Sequence, residues 1–390
     1  MFNITTLNKI SKKGLNLLDY SRYSLDGGED VTDAVILRSF KMHDMKVPAG
    51  LKAVARAGAG TNNIPVDEYT EKGIVVFNTP GANANSVKEL VLMSLFISSR
   101  KIIRGVSWSK ELMGKGDEVP KLIEKGKSDF TGSEIKGKTL GVIGLGAIGV
   151  MVANDAISLG MEVIGFDPYI SIDAAWGLSS QVKKADSIES LLTKCDFITL
   201  HMPLNDSTKG FINEEKIAMM KKGVKILNFA RGGLVNNDAL RRAIDEEVVN
   251  RYVTDFPSED LLGIENIIPI PHLGASTPEA EENCAIMAVN QTTDFLDTGN
   301  IRNSVNYPDC SMDMNGDTRI SIGNKNVPNM VGQISHVLAE NSLNIANMIN
   351  RNQGDYAYNL IDIDGPVSEN VTTEIEKIDG VIFTRIIEGK

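Results

Sequence analysis

A short apolar run that ends in a glycine-rich turn constrains this chain more than any other segment. The run and turn are KTLGVIGLGAIGV at residues 138–150, and a helical stretch follows them. A second apolar run, at 161–166, then stops at Asp167. This order of strand, turn, helix, strand and acid is typical of a βαβ unit that binds a dinucleotide. The glycine pattern alone also fits an ordinary tight turn, so the prediction depends on the strands and the acid around it.

Each glycine of the turn has its own expected role. Gly144 allows the sharp turn, Gly146 lets backbone N–H groups reach a pyrophosphate, and Gly149 lets the helix pack close to the strand. The phosphates would face the N-terminus of that helix. Asp167 is placed to hydrogen-bond a ribose diol and to repel a 2′-phosphate, which favours NAD over NADP as the cofactor.

Charge and cysteine content narrow the class of protein. The net charge of −11 argues against a nucleic-acid partner, which needs a basic stripe, although acidity is also common on protein surfaces. No apolar stretch reaches the roughly 18 residues of a membrane-spanning helix, and the first residues lack the apolar core of a signal peptide. Cys195, Cys284 and Cys310 form no CxxC or CxxH pattern, so neither a disulfide framework nor a metal site is expected. A reduced, cytoplasmic protein is predicted.

Apolar runs alternate with helical patterns through residues 1–300, which predicts an α/β fold. The first hundred residues contain the strand-like runs AVILRS, LKAVARAG and GIVVFNTP, and a helix is predicted over 86–104, followed by polar, aperiodic chain to residue 135. Five further strands are predicted at 139–144, 161–166, 196–201, 224–229 and 251–256. This alternation of strands and helices predicts a doubly wound parallel sheet inserted within the first domain. A helix at 279–295 is predicted to return the chain to that domain.

The composition changes after residue 298. Residues 298–318 are rich in Asn, Asp and Gly and predict a linker, and the rest follows a β–α–β–β–α–β pattern. One predicted helix there has an apolar stripe made by Met330, Val331, Ile334, Val337 and Leu338. The predicted division is a discontinuous substrate-binding domain at 1–100 and 285–305, a nucleotide-binding domain at 101–284, a linker at 306–318 and a βαββαβ domain at 319–390.

Three further segments place reactive side chains after apolar runs, where parallel-sheet enzymes keep such groups. LNFARGG contains Arg231, TDFPSE contains Asp255 and Glu259, and IPHLGAST contains His272. With the glycine turn, and in this order, these motifs resemble the D-isomer-specific 2-hydroxyacid dehydrogenases over nearly the whole chain. The C-terminal module resembles ACT domains, which makes the chain most similar to the phosphoglycerate-oxidising members of that family.

The resemblance implies an oxidoreductase with a Rossmann-type nucleotide domain inserted in a flavodoxin-like substrate domain. It implies NAD as cofactor, D-3-phosphoglycerate as substrate in L-serine biosynthesis, and a homodimer or homotetramer that pairs through nucleotide domains. Catalytic roles carry over to Arg231, Glu259 and His272. The implied cofactor contacts are Gly144, Gly146, Ala147, Ile148, Gly149, Asp167, Met202, Pro203, Phe229, Ala230, Asp255 and Ala275.

The chemistry of these side chains agrees with that implication. Oxidising a 2-hydroxy acid needs a base for the hydroxyl proton, and histidine can take and return a proton near neutral pH. A carboxylate such as Glu259 would favour the imidazolium. Arg231 offers planar donors to a carboxylate or a carbonyl oxygen, although it could also brace a loop. The other histidines, His43, His201 and His336, are predicted to be structural, with His201 near the cofactor.

The chain departs from the family at one position. Members of the family commonly have an aspartate five residues before the glutamate, where it contacts the nicotinamide amide. That position is Thr254 here, and the neighbouring acid is Asp255. The sequence leaves open which of the two contacts the nicotinamide.

A substrate with a phosphate and a carboxylate needs two anion sites. The turn RAGAGTN is suited to holding a carboxylate on backbone N–H groups, and the predicted contacts are Arg56, Gly58, Ala59 and Gly60. Arg38 and Ser39 follow AVIL and resemble the phosphate-facing pair of the family, with Lys41 as a weaker helper. The alternative for Arg38 is an ordinary solvated arginine.

The resemblance to ACT domains also implies an amino-acid effector, L-serine, held between paired subunits. Asn326 and Asn344 fall where serine-binding members keep asparagines, and Asn324 stands where some have histidine. A dimerisation module without a ligand is the alternative. Two rival functions remain open: the same chemistry on glycerate, glyoxylate or 2-oxoglutarate, and an NAD-sensing binding protein like the C-terminal-binding corepressors.

Overall fold

The structure is a computed structural model that describes residues 1–25 and 31–389. The chain divides into two compact units. The first unit consists of Met1–Ala82 and Pro278–Lys390, and the second unit of Asn83–Thr277. Among the described residues, no helix combines the length and the apolar character that crossing a bilayer requires.

The N-terminal part of the first unit is built on a parallel sheet. Its described strands are β1 (Phe2–Leu7), β2 (Tyr23–Ser24), β3 (Ala34–Leu37), β4 (Ala53–Arg56) and β5 (Val75–Phe77), and its helices are α1 (Lys12–Leu15) and α2 (Val66–Glu71). The strand order is β2-β1-β3-β4-β5, which is the order of flavodoxin-like sheets. All four residues of β3 are buried, as expected for a parallel strand covered on both faces. The three strands predicted in this region are confirmed as β3, β4 and β5.

The second unit contains a seven-stranded parallel sheet, and all of its residues are described. The strands are β6 (Thr139–Ile143), β7 (Glu162–Phe166), β8 (Lys183–Lys184), β9 (Phe197–Leu200), β10 (Val224–Asn228), β11 (Val249–Thr254) and β12 (Ile267–Pro269). The helices are α3 (Ala84–Ser99), α4 (Ile102–Glu111), α5 (Val119–Gly126), α6 (Ala147–Ser158), α7 (Ile172–Gly177), α8 (Ile188–Leu192), α9 (Glu214–Ala218) and α10 (Asn237–Asp245). The strand order β12-β11-β10-β9-β6-β7-β8 reverses between β6 and β9. Such a reversal opens a crevice at the carboxyl ends of the two strands, where doubly wound folds bind ligands.

The prediction for residues 86–135 was partly wrong. The predicted single helix stops at Ser99, Arg100 is extended, and α4 begins at Ile102. The hydroxyls of Ser98 and Ser99 both donate to the Leu95 carbonyl, which competes with continuation of the helix. The chain that follows contains α4 and α5 rather than irregular structure. Neither helix has a buried residue, so no core-facing stripe marks them in the sequence.

The chain returns to the first unit through α11 (Pro278–Thr298) and ends in a βαββαβ module. Its elements are β13 (Thr318–Lys325), α12 (Met330–Glu340), β14 (Asn344–Gln353), β15 (Tyr356–Asp364), α13 (Glu369–Glu376) and β16 (Val381–Glu388). The sheet is antiparallel in the order β14-β15-β13-β16. On α12, Met330, Ile334 and Leu338 are buried as predicted, whereas Val331 is exposed.

Buried polar contacts attach this module to α11 and to the chain that follows it. The Arg319 guanidinium forms a two-pronged ion pair with Asp362, at 2.6 and 3.0 Å, and also donates to the Thr298 carbonyl. Arg385 donates to the carbonyls of Phe295 and Leu296, near the end of α11. The segment predicted as a linker between these elements is packed in part, since Tyr307 and Cys310 are buried within it.

Candidate active site

The glycine turn at the end of β6 is shaped by close backbone contacts. Gly144 has a φ of +92°, and a Cβ there would lie 2.6 Å from the His201 carbonyl oxygen. A Cβ on Gly149 would lie 2.0 Å from the Gly144 carbonyl oxygen. Gly146 differs, because a Cβ there would meet nothing within 4 Å, and no side chain caps the start of α6 beside it. An open space beside uncapped helical N–H groups fits the pyrophosphate of a dinucleotide.

Asp167 lies immediately after β7 and is tied to the glycine turn. Its Oδ2 accepts a hydrogen bond from the Leu145 N–H at 2.7 Å, and its Oδ1 accepts one from the Tyr169 N–H at 2.8 Å. These bonds hold the carboxylate beside the turn. Each oxygen has a second lone pair for a ribose hydroxyl.

His201 follows β9, the neighbour of β6 across the reversal of strand order. Its N–H donates to the Ile143 carbonyl, and its Nε2 lies 2.9 Å from the Thr199 hydroxyl. Burial lowers the pKa of His201 to about 3, so the ring is neutral. This agrees with a structural role. The other predicted cofactor contacts lie at the start of α6 and in the turns after β9, β10 and β12: Ala147, Ile148, Met202, Pro203, Phe229, Ala230 and Ala275.

Asn228, which the sequence analysis missed, fixes the turn that contains Arg231. Its side-chain amide donates to the Arg231 carbonyl at 2.9 Å and accepts from the Ala230 N–H at 3.2 Å. The Arg231 guanidinium is exposed and donates to the Ala230 carbonyl. The one available signal was a polar residue inside an otherwise apolar strand.

Asp255 lies immediately after β11, at the carboxyl edge of the sheet. It is 2% exposed, and its Oδ2 accepts from the Gly274 N–H at 3.3 Å. Its Oδ1 is also buried and has no hydrogen-bond partner in the described chain. Burial raises the pKa of Asp255, and the charges of His272 and Arg231 and the Gly274 N–H oppose that rise. Arg231, Asp255 and His272 follow the neighbouring strands β10, β11 and β12, so all three lie at the carboxyl edge of the same sheet.

The His272 imidazole is exposed and packs against Phe256, with ring centroids 4.5 Å apart. Phe256 was also missed by the sequence analysis. Glu259 is exposed at the start of a short 3₁₀ helix, and its carboxylate has no ion pair with His272 or Arg231 in the part of the chain described. That Glu259 acts on His272 stays a prediction, because no ion pair joins the two side chains in the described residues. Thr254 is fully buried, and its hydroxyl accepts from the Phe256 N–H.

In the first unit, Arg38 and Ser39 follow β3, next to β1 where the order of the first sheet reverses. Asn8, just after β1, accepts from the N–H groups of Ser39 and Phe40 through its Oδ1. The Arg38 guanidinium forms an ion pair with Glu281 on α11, at 2.5 Å. Arg38, the predicted phosphate contact, therefore lies where sheets of this kind bind ligands. Its guanidinium is already paired with the Glu281 carboxylate.

The turn after β4 wraps around the Arg56 side chain. This guanidinium donates to the carbonyls of Arg38 and Gly60, and a Cβ on Gly58 or Gly60 would press against it at 3.3 or 3.0 Å. The N–H groups of Ala59 and Gly60 have no acceptor within the described residues. Two free N–H groups in one turn fit a carboxylate, as predicted for this loop. Arg56 itself is engaged in holding the turn.

The three predicted effector residues do not form one cluster within a single chain. Asn324 is buried and bonded to Asn359, Asn326 donates to the Gly354 carbonyl, and Asn344 donates to Asp364. On β15, Asn324 is opposite Ala357 and Asn344 is opposite Asp364, at the two ends of the strand. Seven residues of strand separate them by roughly 23 Å.

Comparison with known proteins supplies the family. Residues 93–274 match the model of the NAD-binding domain of D-isomer specific 2-hydroxyacid dehydrogenases. The D-3-phosphoglycerate dehydrogenase of Haemophilus influenzae is 30% identical over 98% of this chain and 94% of its own length. The chain belongs to the D-isomer specific 2-hydroxyacid dehydrogenase family.

Two further proteins named as phosphoglycerate dehydrogenases align with part of this chain. The D-3-phosphoglycerate dehydrogenase of Methanocaldococcus jannaschii is 39% identical over 66% of this chain, a match that spans 48% of that relative. The NAD⁺-bound 3-phosphoglycerate dehydrogenase of Entamoeba histolytica aligns with a TM-score of 0.59 and 28% identity, over 78% of this chain and 98% of its own. The second unit is thus the NAD-binding domain of a 2-hydroxyacid dehydrogenase, in agreement with the glycine turn.

Replacing Asp167 in this 2-hydroxyacid dehydrogenase with alanine should weaken NAD⁺ binding and relax discrimination against NADP⁺. A hydrogen bond to a charged group is worth about 1.5–3 kcal/mol, so KM for NAD⁺ should rise roughly tenfold or more. NADP⁺ should improve relative to NAD⁺, because the repulsion of its 2′-phosphate is removed. Steady-state rates with both cofactors measure the change, with exposed Asp173→Ala on α7 as control. An unchanged preference would mean that another residue recognises the ribose.

Proposed function

We propose that the protein oxidises D-3-phosphoglycerate to 3-phosphohydroxypyruvate with NAD⁺, the first step of the phosphorylated route to L-serine. The observation that supports the redox part is that Arg231, Asp255 and His272 follow three neighbouring strands of the NAD-binding sheet, with Phe256 packed against the His272 ring. The named activity of the Haemophilus influenzae relative, which aligns along almost the whole chain, supports the choice of substrate.

In the proposed mechanism, His272 takes the proton of the C2 hydroxyl and returns it in the reverse reaction. Bound NAD⁺ supplies the acceptor for the hydride that leaves C2. The exposed Arg231 guanidinium holds the substrate carboxylate or the developing carbonyl oxygen. The buried Asp255 carboxylate lies at the same edge of the sheet, where its Oδ2 accepts from the Gly274 N–H, two residues after His272. Glu259 remains a proposed catalytic residue.

The first unit offers donors suited to two kinds of anionic group. The free N–H groups of Ala59 and Gly60 suit the carboxylate, within the turn held by Arg56 and Gly58. Arg38 suits the phosphate, because a guanidinium donates two parallel hydrogen bonds to phosphate oxygens. Ser39, next to Arg38, completes the proposed phosphate contact.

Arg38→Ala is expected to lower kcat/KM for D-3-phosphoglycerate by roughly 10- to 100-fold, since a charge-assisted hydrogen bond is worth about 1.5–3 kcal/mol. Oxidation of D-glycerate should change little, because that acid offers no phosphate. Steady-state kinetics with both acids make the comparison, and exposed Arg302→Ala is the matched control. Equal losses on both acids would contradict the phosphate assignment. Absence of turnover with any 2-hydroxy acid would favour an NAD-sensing binding protein.

The C-terminal module is proposed to be an ACT-like regulatory domain, at residues 319–390, that binds L-serine between two chains. The βαββαβ order and the strand order β14-β15-β13-β16 support that assignment. Because Asn344 lies at the opposite end of β15 from Asn324 and Asn326, a shared site requires a second chain. The proposal therefore includes a homodimer or homotetramer.

The proposed domain division keeps the substrate-binding domain at 1–100 and 285–305, the NAD-binding domain at 101–284 and the linker at 306–318. The two compact units support a discontinuous first domain around an inserted second one. A cytoplasmic location is proposed as well. It is supported by three buried cysteines that form no disulfide, since a reducing compartment keeps thiols free.

A further inference from the structure

The first turn of α11 places the negatively charged Glu281 next to Arg38, the proposed contact of the substrate phosphate. Glu281 Oε1 lies 2.5 Å from Arg38 Nη1, and the two side chains are 47% and 39% exposed. Cys284, one turn further along α11, is influenced electrostatically by Arg38, Arg56 and Glu281. The acidic start of α11 therefore belongs to the same charged environment as the turns after β3 and β4.

We propose that Glu281 is a specificity-determining residue that competes with the substrate phosphate for Arg38. The inference rests on the proposed function and adds to it a reason why only a phosphorylated acid would use this end of the site. With no phosphate bound, the Glu281 carboxylate holds the guanidinium. A phosphate carries up to two negative charges and three acceptor oxygens, so it can displace a single carboxylate.

Because both side chains are partly exposed, the replacement of Glu281 by a phosphate costs little free energy. An ion pair that is exposed to this extent contributes little, because water and salt screen the charges. A dianion can therefore replace Glu281, whereas the hydroxyl of an unphosphorylated acid offers Arg38 no charge. The backbone of Arg38 is held independently of Glu281, since its carbonyl accepts from Arg56 and Asn63.

Glu281→Gln removes the competing charge and keeps the side-chain volume. The ratio of kcat/KM for D-3-phosphoglycerate to that for D-glycerate should rise about two- to fivefold, which corresponds to the worth of an exposed ion pair. Inorganic phosphate should become a stronger competitive inhibitor by a similar factor. In the Arg38→Ala background the same substitution should have no effect on either quantity.

Glu282→Gln is the matched control, because Glu282 is the next residue of α11 and pairs with Lys13 at 2.6 Å instead of Arg38. If Glu281→Gln behaves like Glu282→Gln while the wild type oxidises D-3-phosphoglycerate, the competition is overturned and the proposed function stands. A weaker response to phosphate in Glu281→Gln would also overturn it, because Glu281 would then be positioning Arg38 for binding. If the wild type does not oxidise D-3-phosphoglycerate but Glu281→Gln strengthens phosphate binding, the competition stands and the proposed substrate is wrong.

Discussion

His272→Ala should lower kcat by roughly 10²–10⁴-fold, the usual contribution of a general acid–base group. The affinity for NADH should stay near that of the wild type, because the glycine turn and Asp167 are contributed by other strands of the sheet. The imidazole is exposed and its main packing partner is Phe256, so its removal leaves no large cavity in the core. Steady-state oxidation rates and a fluorescence titration with NADH measure the two quantities.

His336→Ala is the appropriate control for this experiment. His336 is exposed on α12 and lies beside Glu340, remote in sequence from the NAD-binding sheet. Its removal should leave kcat unchanged. A loss of less than about tenfold in His272→Ala would assign the proton transfer to another group, since general acid–base catalysis contributes at least 10²-fold. A parallel loss of NADH binding would instead indicate that the sheet edge had been disrupted.

Asp362→Ala should destabilise the C-terminal module by about 3–5 kcal/mol, the cost of leaving a buried charge without its partner. Arg319 and Asp362 are both fully buried, and their pair is two-pronged. Asp362 Oδ2 also accepts from the Asn315 N–H, which would lose its acceptor. Hydrogen exchange of the amide protons of β13 and β15 measures the loss of local stability.

Asp364→Ala is the matched control, since Asp364 lies on the same strand but is exposed. A surface substitution of this kind usually changes stability by less than about 0.5 kcal/mol. Asp362→Asn keeps the shape and some hydrogen bonds and should fall between the two. If Asp362→Ala is no less stable than Asp364→Ala, the ion pair makes no net contribution to the attachment of the module.

The elements that could be predicted are those whose signal is local. The strands β3, β4, β6, β7, β9 and β10 were predicted within one or two residues, because buried parallel strands are continuous apolar runs. The βαββαβ order was predicted from the alternation of strand-like and helical patterns, although its sheet is antiparallel. Helices α4 and α5 were missed, since neither buries a residue and an amphipathic pattern could not be assigned to a core.

The residues of the candidate site also fall into those that the sequence predicted and those that it did not. The glycine turn and Asp167 were recognisable because they lie within one βαβ unit. Asn8 and Asn228 were not, because each acts by bonding to the backbone of a neighbouring turn, and such asparagines are ordinary in composition. The sequence left open whether Thr254 or Asp255 contacts the nicotinamide, and the structure adds that Asp255 accepts from the Gly274 N–H, two residues after His272.

The sequence by itself determined the parallel α/β architecture and the dinucleotide turn, and it supplied the candidates for the reactive side chains. Only the tertiary structure decided which charged side chains pair, as Glu281 does with Arg38 and Asp362 with Arg319. The physical reason is that strand order and helix return bring these groups together from separate segments. Local propensity encodes each segment, whereas the energy of an ion pair depends on the distance and burial that the fold as a whole sets.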